Sequence, residues 1–160
     1  MSGTSRPAAL TDAVTNDVLM DALWDSLADY YGDFTSAAAE VSLTASQAKM
    51  LTVLRRGPAS MRSLATTLHC DASNVTGIVD RLESRALVRR EPSPTDRRVK
   101  NVVLTEEGAQ AVETVRAGMH GTHTALDALT AADRGALRDL LRRLTGGRGP
   151  RTGSGPGTLG

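Results

Sequence analysis

The stretch Ser60–Gly108 reads SMRSLATTLHCDASNVTGIVDRLESRALVRREPSPTDRRVKNVVLTEEG and holds the strongest structural signals in this 160-residue chain. Ser60 and Asp71 each stand before a segment in which apolar residues recur at helical spacing, Met61–Leu68 and residues 72–85. Serine and aspartate favour helix N-termini because their side-chain oxygens accept hydrogen bonds from the free backbone amides of the first turn. The stretch therefore begins with two predicted helices separated by a short turn.

The second of these helices has two contrasting faces. Val75, Val79 and Leu82 recur at the spacing of a buried helix face. The opposite face carries small or hydrogen-bonding side chains in place of the long charged ones typical of solvated helices. Such side chains allow close approach to base edges, since asparagine pairs with adenine and serine or threonine with any base. The predicted base-reading positions are Ser73, Asn74, Thr76, Gly77 and Arg81.

Two β-branched segments follow, Leu87–Glu91 and Val99–Leu104, and a proline-containing loop joins them. This pattern predicts a β-hairpin. The loop ends in Asp96, Arg97 and Arg98. An arginine at such a tip enters a narrow minor groove, and we expect Asp96 to hold the guanidinium in position. Helix, turn, helix and hairpin in this order indicate a winged helix-turn-helix, a mainly α fold with a small wing of two or three strands.

Positive charge is concentrated in the same part of the chain. The net charge is only +1, but residues 1–54 hold two basic and seven acidic side chains, whereas residues 55–100 hold ten basic and five acidic ones. Attraction to phosphate groups requires such local concentration rather than a large total charge. The expected partner is double-stranded DNA. The expected phosphate contacts are Arg62, Arg85, Arg89, Arg90 and Lys100.

Residues 12–39 predict a long amphipathic helix, with apolar side chains on one side and regularly spaced aspartates on the other. A helix of this length exceeds what one small core can cover, so we expect part of its apolar stripe to face a second subunit. All four aromatic residues of the chain lie in this helix: Trp24, Tyr30, Tyr31 and Phe34.

Local signals divide the rest of the chain. Thr44 and Gln47 have the spacing of a capping box at the start of a helix, and Thr130 is placed to cap the last helix. Terminal segments rich in Gly, Pro and Ser are typical of chain without a packed core. The predicted division is a flexible N-terminus (1–11), one domain (12–146) made of dimerisation helices (12–39 and a pair in 105–146) and the winged helix-turn-helix (43–104), and a disordered tail (147–160).

The spacing of residues between Asn74 and Gly108 resembles the signature of the MarR (multiple-antibiotic-resistance regulator) family. The flanking helices also fit in order and length, so the resemblance extends over residues 12–146. Two positions depart from the family pattern. Ala86 stands where a glycine or polar residue is usual, and a left-handed backbone there would cost alanine about 1 kcal/mol. Gly77 stands where many members have arginine. The matching residues are Asn74-Val75, Gly77, Leu82-Glu83, Leu87-Val88, Asp96-Arg97-Arg98, Thr105 and Gly108.

The resemblance implies a function. MarR-like proteins are homodimers with interlocking terminal helices, and their two winged domains bind a pseudo-palindromic operator. A small ligand or cysteine oxidation lowers their affinity for DNA. By this resemblance, the chain is expected to be a homodimeric, sequence-specific DNA-binding transcription regulator of bacterial origin, a repressor relieved by a small ligand, with no cofactor.

Three regulatory inputs are open. An organic ligand could lie between the dimerisation helices and the winged domain, lined by the four aromatic residues, although aromatics at helical spacing are more often core or interface. Cys70 precedes the positive end of the second helix and could sense oxidation, although we favour a buried, inert turn cysteine. His120 and His123 have a spacing that can chelate zinc but lack a clear third ligand, so no metal is predicted.

Other classes of protein are disfavoured. The chain has no Gly-rich phosphate loop and no Ser/His/Asp arrangement with motif context, so we do not expect an enzyme. No apolar run approaches the roughly 20 residues of a membrane span, and one cysteine without a secretory signal predicts a cytoplasmic location. The remaining alternative is a winged-helix protein-interaction or dimerisation module, since the fold does not dictate DNA binding. Such an interface would favour exposed aromatics or leucines on the reading face, and the sequence places none there.

Overall fold

The structure, a computed structural model, describes residues 14–146. This part of the chain forms seven helices and three short strands. In chain order they are α1 (Asn16–Glu40), α2 (Ala45–Leu54), β1 (Ala59–Ser60), α3 (Met61–Leu68), α4 (Ala72–Ser84), β2 (Val88–Pro92), β3 (Lys100–Leu104), α5 (Glu106–Ala117), α6 (His120–Asp127) and α7 (Ala131–Leu144).

The strands form one antiparallel sheet in the order β1-β3-β2. Strands β2 and β3 are the arms of the predicted hairpin, with Val88 opposite Leu104 at one end and Pro92 opposite Lys100 at the other. Strand β1 adds two residues to the other edge of β3. Because β1 leads directly into α3, this pairing ties the hairpin to the helix-turn-helix. The predicted mainly α fold with a small β wing is confirmed.

The core lies between the helices and the hairpin of the winged segment. Its fully buried large side chains come from α2, α3, α4 and the β2–β3 hairpin, and the inward face predicted for α4 is confirmed. Helix α1 contributes only Phe34, Ala37 and Ala38, which lie near its C-terminal end. Helices α6 and α7 have no buried residue. The largest fully buried side chains are Met50, Leu51, Leu64, Leu82, Val75, Val79, Val88 and Val102.

The predicted helix caps are present. The Thr44 backbone amide donates to Gln47 Oε1 at 2.9 Å, and the Gln47 amide donates to Thr44 Oγ1 at 3.3 Å, which completes the capping box. Ser60 Oγ accepts from the Ser63 amide at 3.2 Å, and Thr130 caps α7 in the same way. These local hydrogen bonds satisfy amides that have no partner within the helix, so they determine where each helix begins.

The C-terminal segment differs from the predicted pair of helices. It forms three helices, because α5 ends at Ala117 and the chain turns at Gly118 and Met119 before α6 begins. Asp33 of α1 supplies the missing cap of α6: its Oδ2 accepts from the Thr122 amide at 2.7 Å. This hydrogen bond is the main reason why the pKa of Asp33 lies below its ordinary value. A distant side chain thus stabilises a break that local periodicity did not predict.

The ends of the predicted division are only partly described. Helix α1 begins at Asn16, after Thr15, rather than at residue 12. The predicted flexible N-terminus (1–11) and disordered tail (147–160) lie outside the described residues. Within residues 14–146, none of the helices combines the length and apolar character needed to cross a membrane.

Candidate nucleic-acid interface

Helix α4 begins with a well-formed cap. Asp71 Oδ1 accepts from the Asn74 amide at 2.8 Å and from the Ser73 hydroxyl at 2.6 Å. These two bonds, the Ser73 hydroxyl first, lower the pKa of Asp71. Before the cap, His69 has a left-handed backbone with φ of 53° and ends α3. The predicted turn at His69 and Cys70 therefore fixes the angle at which α4 leaves α3.

The outward face of α4 is exposed and carries short side chains. With about 3.6 residues per turn, Ser73, Gly77 and Asp80 lie opposite the buried valines. Ser73 and Asp80 are exposed, whereas Gly77 is half-buried. Thr76 is exposed and its hydroxyl donates back to the Ala72 carbonyl at 2.9 Å, which leaves its methyl group and oxygen lone pairs available. The structure thus brings the predicted reading positions onto one surface.

Asn74 and Arg81 lie at one edge of that face. Both are exposed, but Asn74 also lines a small cavity shared with α1 and α2. It therefore belongs to two surfaces, the predicted reading face and the wall of the cavity. Sequence periodicity placed Asn74 on the outward face but gave no sign of this second contact.

The joint between α4 and the wing has a strained backbone. Ala86 has a left-handed φ of 56°, and the Leu87 amide donates to the Leu82 carbonyl at 3.0 Å, which closes the C-terminus of α4. Thr105 Oγ1 donates to the Ala86 carbonyl at 2.7 Å. A Cβ on Gly108 would lie 2.0 Å from the Leu87 carbonyl oxygen, so only glycine allows α5 to approach this closely. The geometry explains why Thr105 and Gly108 belong to the family signature.

The wing tip, residues 93–99, projects two arginines into solvent. Arg97 and Arg98 are exposed, and no ion pair of either is found between residues 14 and 146. Contrary to the expectation, no arginine between residues 14 and 146 forms an ion pair with Asp96. Its Oδ1 accepts from the Arg98 backbone amide at 3.0 Å, so it orients the tip through the backbone. The Ser93 amide donates to the Val99 carbonyl at 2.8 Å and closes the loop.

The expected phosphate contacts fall into two groups. Arg62 and Lys100 are exposed and remain candidates. Arg85 instead donates to the carbonyls of Ser42 at 2.7 Å and Val41 at 3.3 Å, in the turn after α1. Arg89 pairs with Glu91 on its own strand at 2.5 Å. Arg85 and Arg89 are therefore engaged within the protein, and their phosphate contacts stay predictions.

Arg90 is also engaged within the protein. Its guanidinium contacts Asp80 and Glu83, both on α4. These carboxylates raise the pKa of Arg90, and the largest cause is the hydrogen bond that its guanidinium donates to Asp80. The donors of Arg90 are directed at α4, so its expected phosphate contact stays a prediction and would compete with these ion pairs. The sequence did carry a signal for this pairing, since two carboxylates three residues apart lie on one side of a helix.

The four aromatic residues do not all line one cleft: Trp24, Tyr30 and Tyr31 share an open apolar recess on α1, and Phe34 does not reach it. Phe34 is buried in the core and stacks on Tyr30, with ring centroids 6.4 Å apart. Trp24 and Tyr30 lie on the exposed apolar side of α1. Only Tyr31 reaches the cavity of about 120 Å³ between α1, α2 and α4. The other walls of that cavity are Ala45, Ser46, Lys49, Leu68, Cys70, Asn74 and Ile78, a set that the sequence analysis did not identify as a site.

The predicted sensor residues are dispersed. Cys70 is partly exposed and faces the cavity rather than being fully buried. The His123 ring Nε2 donates to the Arg116 carbonyl at 2.9 Å, so this nitrogen is engaged. Within residues 14–146, no cluster of three or more His, Cys, Asp or Glu side chains has the arrangement of a metal site, and no third ligand joins His120 and His123.

Comparisons with known proteins agree with this geometry. The model of the MarR family matches residues 43–100. The HTH-type transcriptional repressor NicR of Pseudomonas putida is 34% identical over 113 residues, which cover 69% of this chain and 72% of NicR. The crystal structure of RV1404 from Mycobacterium tuberculosis matches with a TM-score of 0.67 at 29% identity and covers 82% of this chain and 92% of that chain.

A third relative has been solved in two complexes. CouR from Rhodococcus jostii RHA1 bound to p-coumaroyl-CoA matches with a TM-score of 0.63 at 26% identity, over 86% of this chain and 95% of that chain. The transcriptional repressor CouR bound to a 23-mer DNA duplex matches with a TM-score of 0.64 at 27% identity, over 86% and 99%. NicR and CouR are named as transcriptional repressors, and one CouR structure holds a DNA duplex. The chain therefore belongs to the MarR family of DNA-binding transcription regulators.

Proposed function

We propose that this regulator is a homodimer that recognises a pseudo-palindromic operator and represses transcription until a small organic ligand lowers its affinity for DNA. The observation that carries the proposal is the exposed, short-chained face of α4 beside a wing tip with two unpaired arginines. The two comparison proteins NicR and CouR, which are named as repressors, support repression as the direction of control.

Helix α4 is the proposed reading helix. Ser73, Asn74 and Thr76 offer hydrogen-bonding groups close to the backbone, and Gly77 lets the helix approach the bases. With glycine in place of the arginine common in the family, this helix has little charge for gripping the duplex. Arg81, in the last turn, adds one cation. Base choice is therefore expected to depend on close fit rather than on long side chains.

The wing tip supplies the second contact. Arg97 and Arg98 follow Asp96, whose carboxylate fixes the backbone of the tip. Arginine enters narrow minor grooves because the negative potential there is enhanced. Arg62 and Lys100 are the proposed phosphate contacts that remain free of ion pairs within the described residues. Val99 is the one large exposed apolar residue of the wing tip, so the surface does not resemble a protein-binding patch.

Dimerisation is proposed from the terminal helices. The apolar side of α1 is exposed from Met20 to Tyr31, and four leucines of α7 are exposed as well. The polar side of α1 carries five aspartates, so two α1 helices packed side by side would repel each other. Helix α7 carries Arg134, Arg138 and Arg142 beside its leucines, and within the protomer these exposed arginines pair with Asp127 and Asp139. A second copy that packs its α7 along α1 would bury both apolar stripes and bring opposite charges together.

The cavity gives ligand control a physical route. It is bounded by Tyr31 of α1, Lys49 of α2 and Asn74 of α4. A ligand in it would contact a predicted base-reading residue directly and push on the start of α4. The state in which α4 and the wing fit DNA would then lose stability, and the affinity for DNA would fall.

Selection of bound sequences from random duplex DNA tests the function. We expect an enriched pseudo-palindrome whose half-sites are about one helical turn, or a multiple of it, apart. Repeating the selection after treatment with peroxide or zinc tests Cys70 and the histidines as inputs. If no sequence is enriched, sequence-specific recognition is wrong, and the protein-interaction alternative gains support.

An arginine comparison tests the wing. Arg98→Ala should weaken binding to the selected operator by roughly tenfold or more, and Arg97→Ala by less, with the dimer intact. Arg116→Ala is the matched control, because Arg116 lies on α5 and already pairs with Glu113. Equal affinities of wild type and Arg98→Ala would exclude the wing from the interface.

A further inference from the structure

Arg90 joins the wing to the reading helix by a forked contact. It lies on β2, opposite Val102 of β3, and its side chain is only 24% exposed. One guanidinium nitrogen lies 2.5 Å from Asp80 Oδ1, and the other contacts Glu83 Oε2. The Arg90 backbone amide also donates to Glu83 Oε1 at 3.1 Å. Main chain and side chain of one strand residue are thus both bound to α4.

The two carboxylates, Asp80 and Glu83, lie on parts of α4 that the proposed function turns toward DNA or the wing. Asp80 lies on the outward face, between Gly77 and Arg81 along the chain, and Glu83 lies on the flank toward the wing. Unpaired carboxylates there would face the phosphates of a bound duplex and oppose binding. Arg90 pairs with both carboxylates and offsets one of their two negative charges, while its own side chain stays mostly buried. Charge compensation and attachment of the wing therefore come from the same side chain.

The Arg90 contact fixes the angle between β2 and α4, which the joint at Ala86 alone leaves free. The first link between α4 and the wing is the covalent joint at Ala86, supported by Thr105. A strand held at one end can still swivel about that end. Arg90 lies four residues further along the chain and binds α4 again, which determines the direction of β2 relative to the helix axis. The direction of β2 in turn determines where the wing tip lies relative to α4.

We propose that Arg90 is a positioning residue that sets the spacing between major-groove reading by α4 and minor-groove insertion by the wing tip, without itself contacting DNA. The inference rests on the proposed function. The fork is essential to it, because one planar guanidinium reaches two carboxylates while a lysine ammonium offers a single point of charge. Loss of the contact would leave each DNA-binding part intact and misplace one relative to the other.

Loss of the Arg90 contact should reduce discrimination between the operator and other DNA rather than the affinity for DNA in general. The measured quantity is the ratio of affinities for the selected operator and for a scrambled duplex of the same length, from fluorescence anisotropy at fixed salt. Arg90→Gln should reduce this ratio about tenfold, and Arg90→Lys should reduce it nearly as much although the charge is kept. If Arg90 instead bound a phosphate, Arg90→Lys would retain the wild-type ratio.

Glu83→Gln separates the two interpretations by sign. It removes a negative charge, so a simple electrostatic account predicts tighter operator binding. Positioning predicts a lower ratio, and the double variant Arg90→Gln/Glu83→Gln should be no worse than Arg90→Gln alone, because both changes break one contact. An additive double variant, or an increased ratio for Glu83→Gln, would overturn the inference.

Arg89 and Glu91 provide the matched control, since they form an ion pair within β2 that does not reach α4. Arg89→Gln should weaken binding to operator and scrambled duplex equally and leave the ratio unchanged. Thermal unfolding and light scattering of each variant establish that fold and oligomeric state are kept. If Arg98→Ala weakens operator binding while the Arg90 and Glu83 variants keep the wild-type ratio, positioning fails and the proposed function stands. If the wild type selects no operator, both fail.

Discussion

The winged segment (43–104) and the terminal helices differ in how completely one protomer buries their apolar side chains. The winged segment packs Leu51, Leu64, Leu82 and Val102 to complete burial. In contrast, Trp24 of α1 is 75% exposed and Leu144 of α7 is 66% exposed. Both regions have the amphipathic pattern of packed structure, but α7 and the part of α1 before Phe34 leave their large apolar side chains exposed in the protomer.

The two regions therefore depend on different packing surfaces for their stability. Burial within the protomer stabilises the winged segment at any protein concentration. Helices α6 and α7 have no buried residue in the protomer, and in the proposed dimer a second copy would cover the exposed leucines of α7. The terminal helices are therefore expected to respond to dilution and the winged segment is not.

The largest expected effect comes from placing a charge in the apolar stripe of α1. Leu27→Asp should convert the dimer to monomers, because Leu27 is 62% exposed in the protomer and would be buried against the second copy. Operator affinity should fall roughly a hundredfold or more, since a monomer engages one half-site and loses the gain from linked binding. Light scattering and anisotropy measure the two effects.

Val18→Asp is the control for this change. Val18 is also exposed, but it lies nine residues from Leu27 and therefore on the opposite side of α1, at about 3.6 residues per turn. The dimer should survive Val18→Asp. If both variants remain dimeric, the apolar stripe of α1 is not the dimer interface.

Smaller effects are expected from one leucine-to-alanine substitution in each region, both made in the monomeric Leu27→Asp background. Leu64→Ala should lower the free energy of unfolding by about 2–5 kcal/mol, because it opens a cavity in a fully buried site. Leu140→Ala should lower it by less than about 1 kcal/mol, because Leu140 is 56% exposed in the protomer. Urea unfolding measures both. Equal losses would mean that α7 packs within its own protomer.

Short-range signals account for the parts that could be predicted from the sequence. Caps such as Thr44, Ser60 and Asp71 act on amides two or three residues away, and the buried stripe of α4 repeats within one helix. The left-handed joint at Ala86 was anticipated as a possibility because a helix that stops and reverses direction requires such a residue. These features need no knowledge of distant parts of the chain.

The parts that could not be predicted depend on contacts between distant elements. Arg85 binds carbonyls 43 and 44 residues earlier, and Asp33 caps a helix 89 residues later. A sequence assigns Arg85 and Arg90 positive charge but does not indicate whether DNA or the protein itself accepts their hydrogen bonds. The site was therefore predictable in its surface and its general chemistry, and less so in the role of each arginine.

Acid should selectively weaken the start of α4. The pKa of Asp71 lies below its ordinary value of 3.8, mainly because the Ser73 hydroxyl and the Asn74 amide donate to its carboxylate. A carboxylate with a lowered pKa stabilises the fold above its unfolded pKa, and this contribution is lost as the pH falls through the folded value. The Tm difference between wild type and Asp71→Asn should be constant near neutral pH and shrink below about pH 4. A difference that does not change with pH would exclude the ionised cap as its source.

The smallest expected effect is that of a substitution at Ala86, the joint between α4 and the wing. It should change the stability of the winged segment alone. Ala86 has a φ of 56°, a conformation that costs an L-residue with a Cβ roughly 1 kcal/mol and costs glycine nothing. Glycine also gains freedom in the unfolded chain, which offsets part of the benefit. Ala86→Gly should therefore raise the free energy of unfolding by about 0.5 kcal/mol, whereas Ala109→Gly, on the exposed side of α5, should lower it by about 1 kcal/mol. Urea unfolding of Ala86→Gly and Ala109→Gly in the monomeric Leu27→Asp background measures both changes in the free energy of unfolding. If both variants lose stability, the Cβ of Ala86 makes a contact that contributes more than the strained backbone costs.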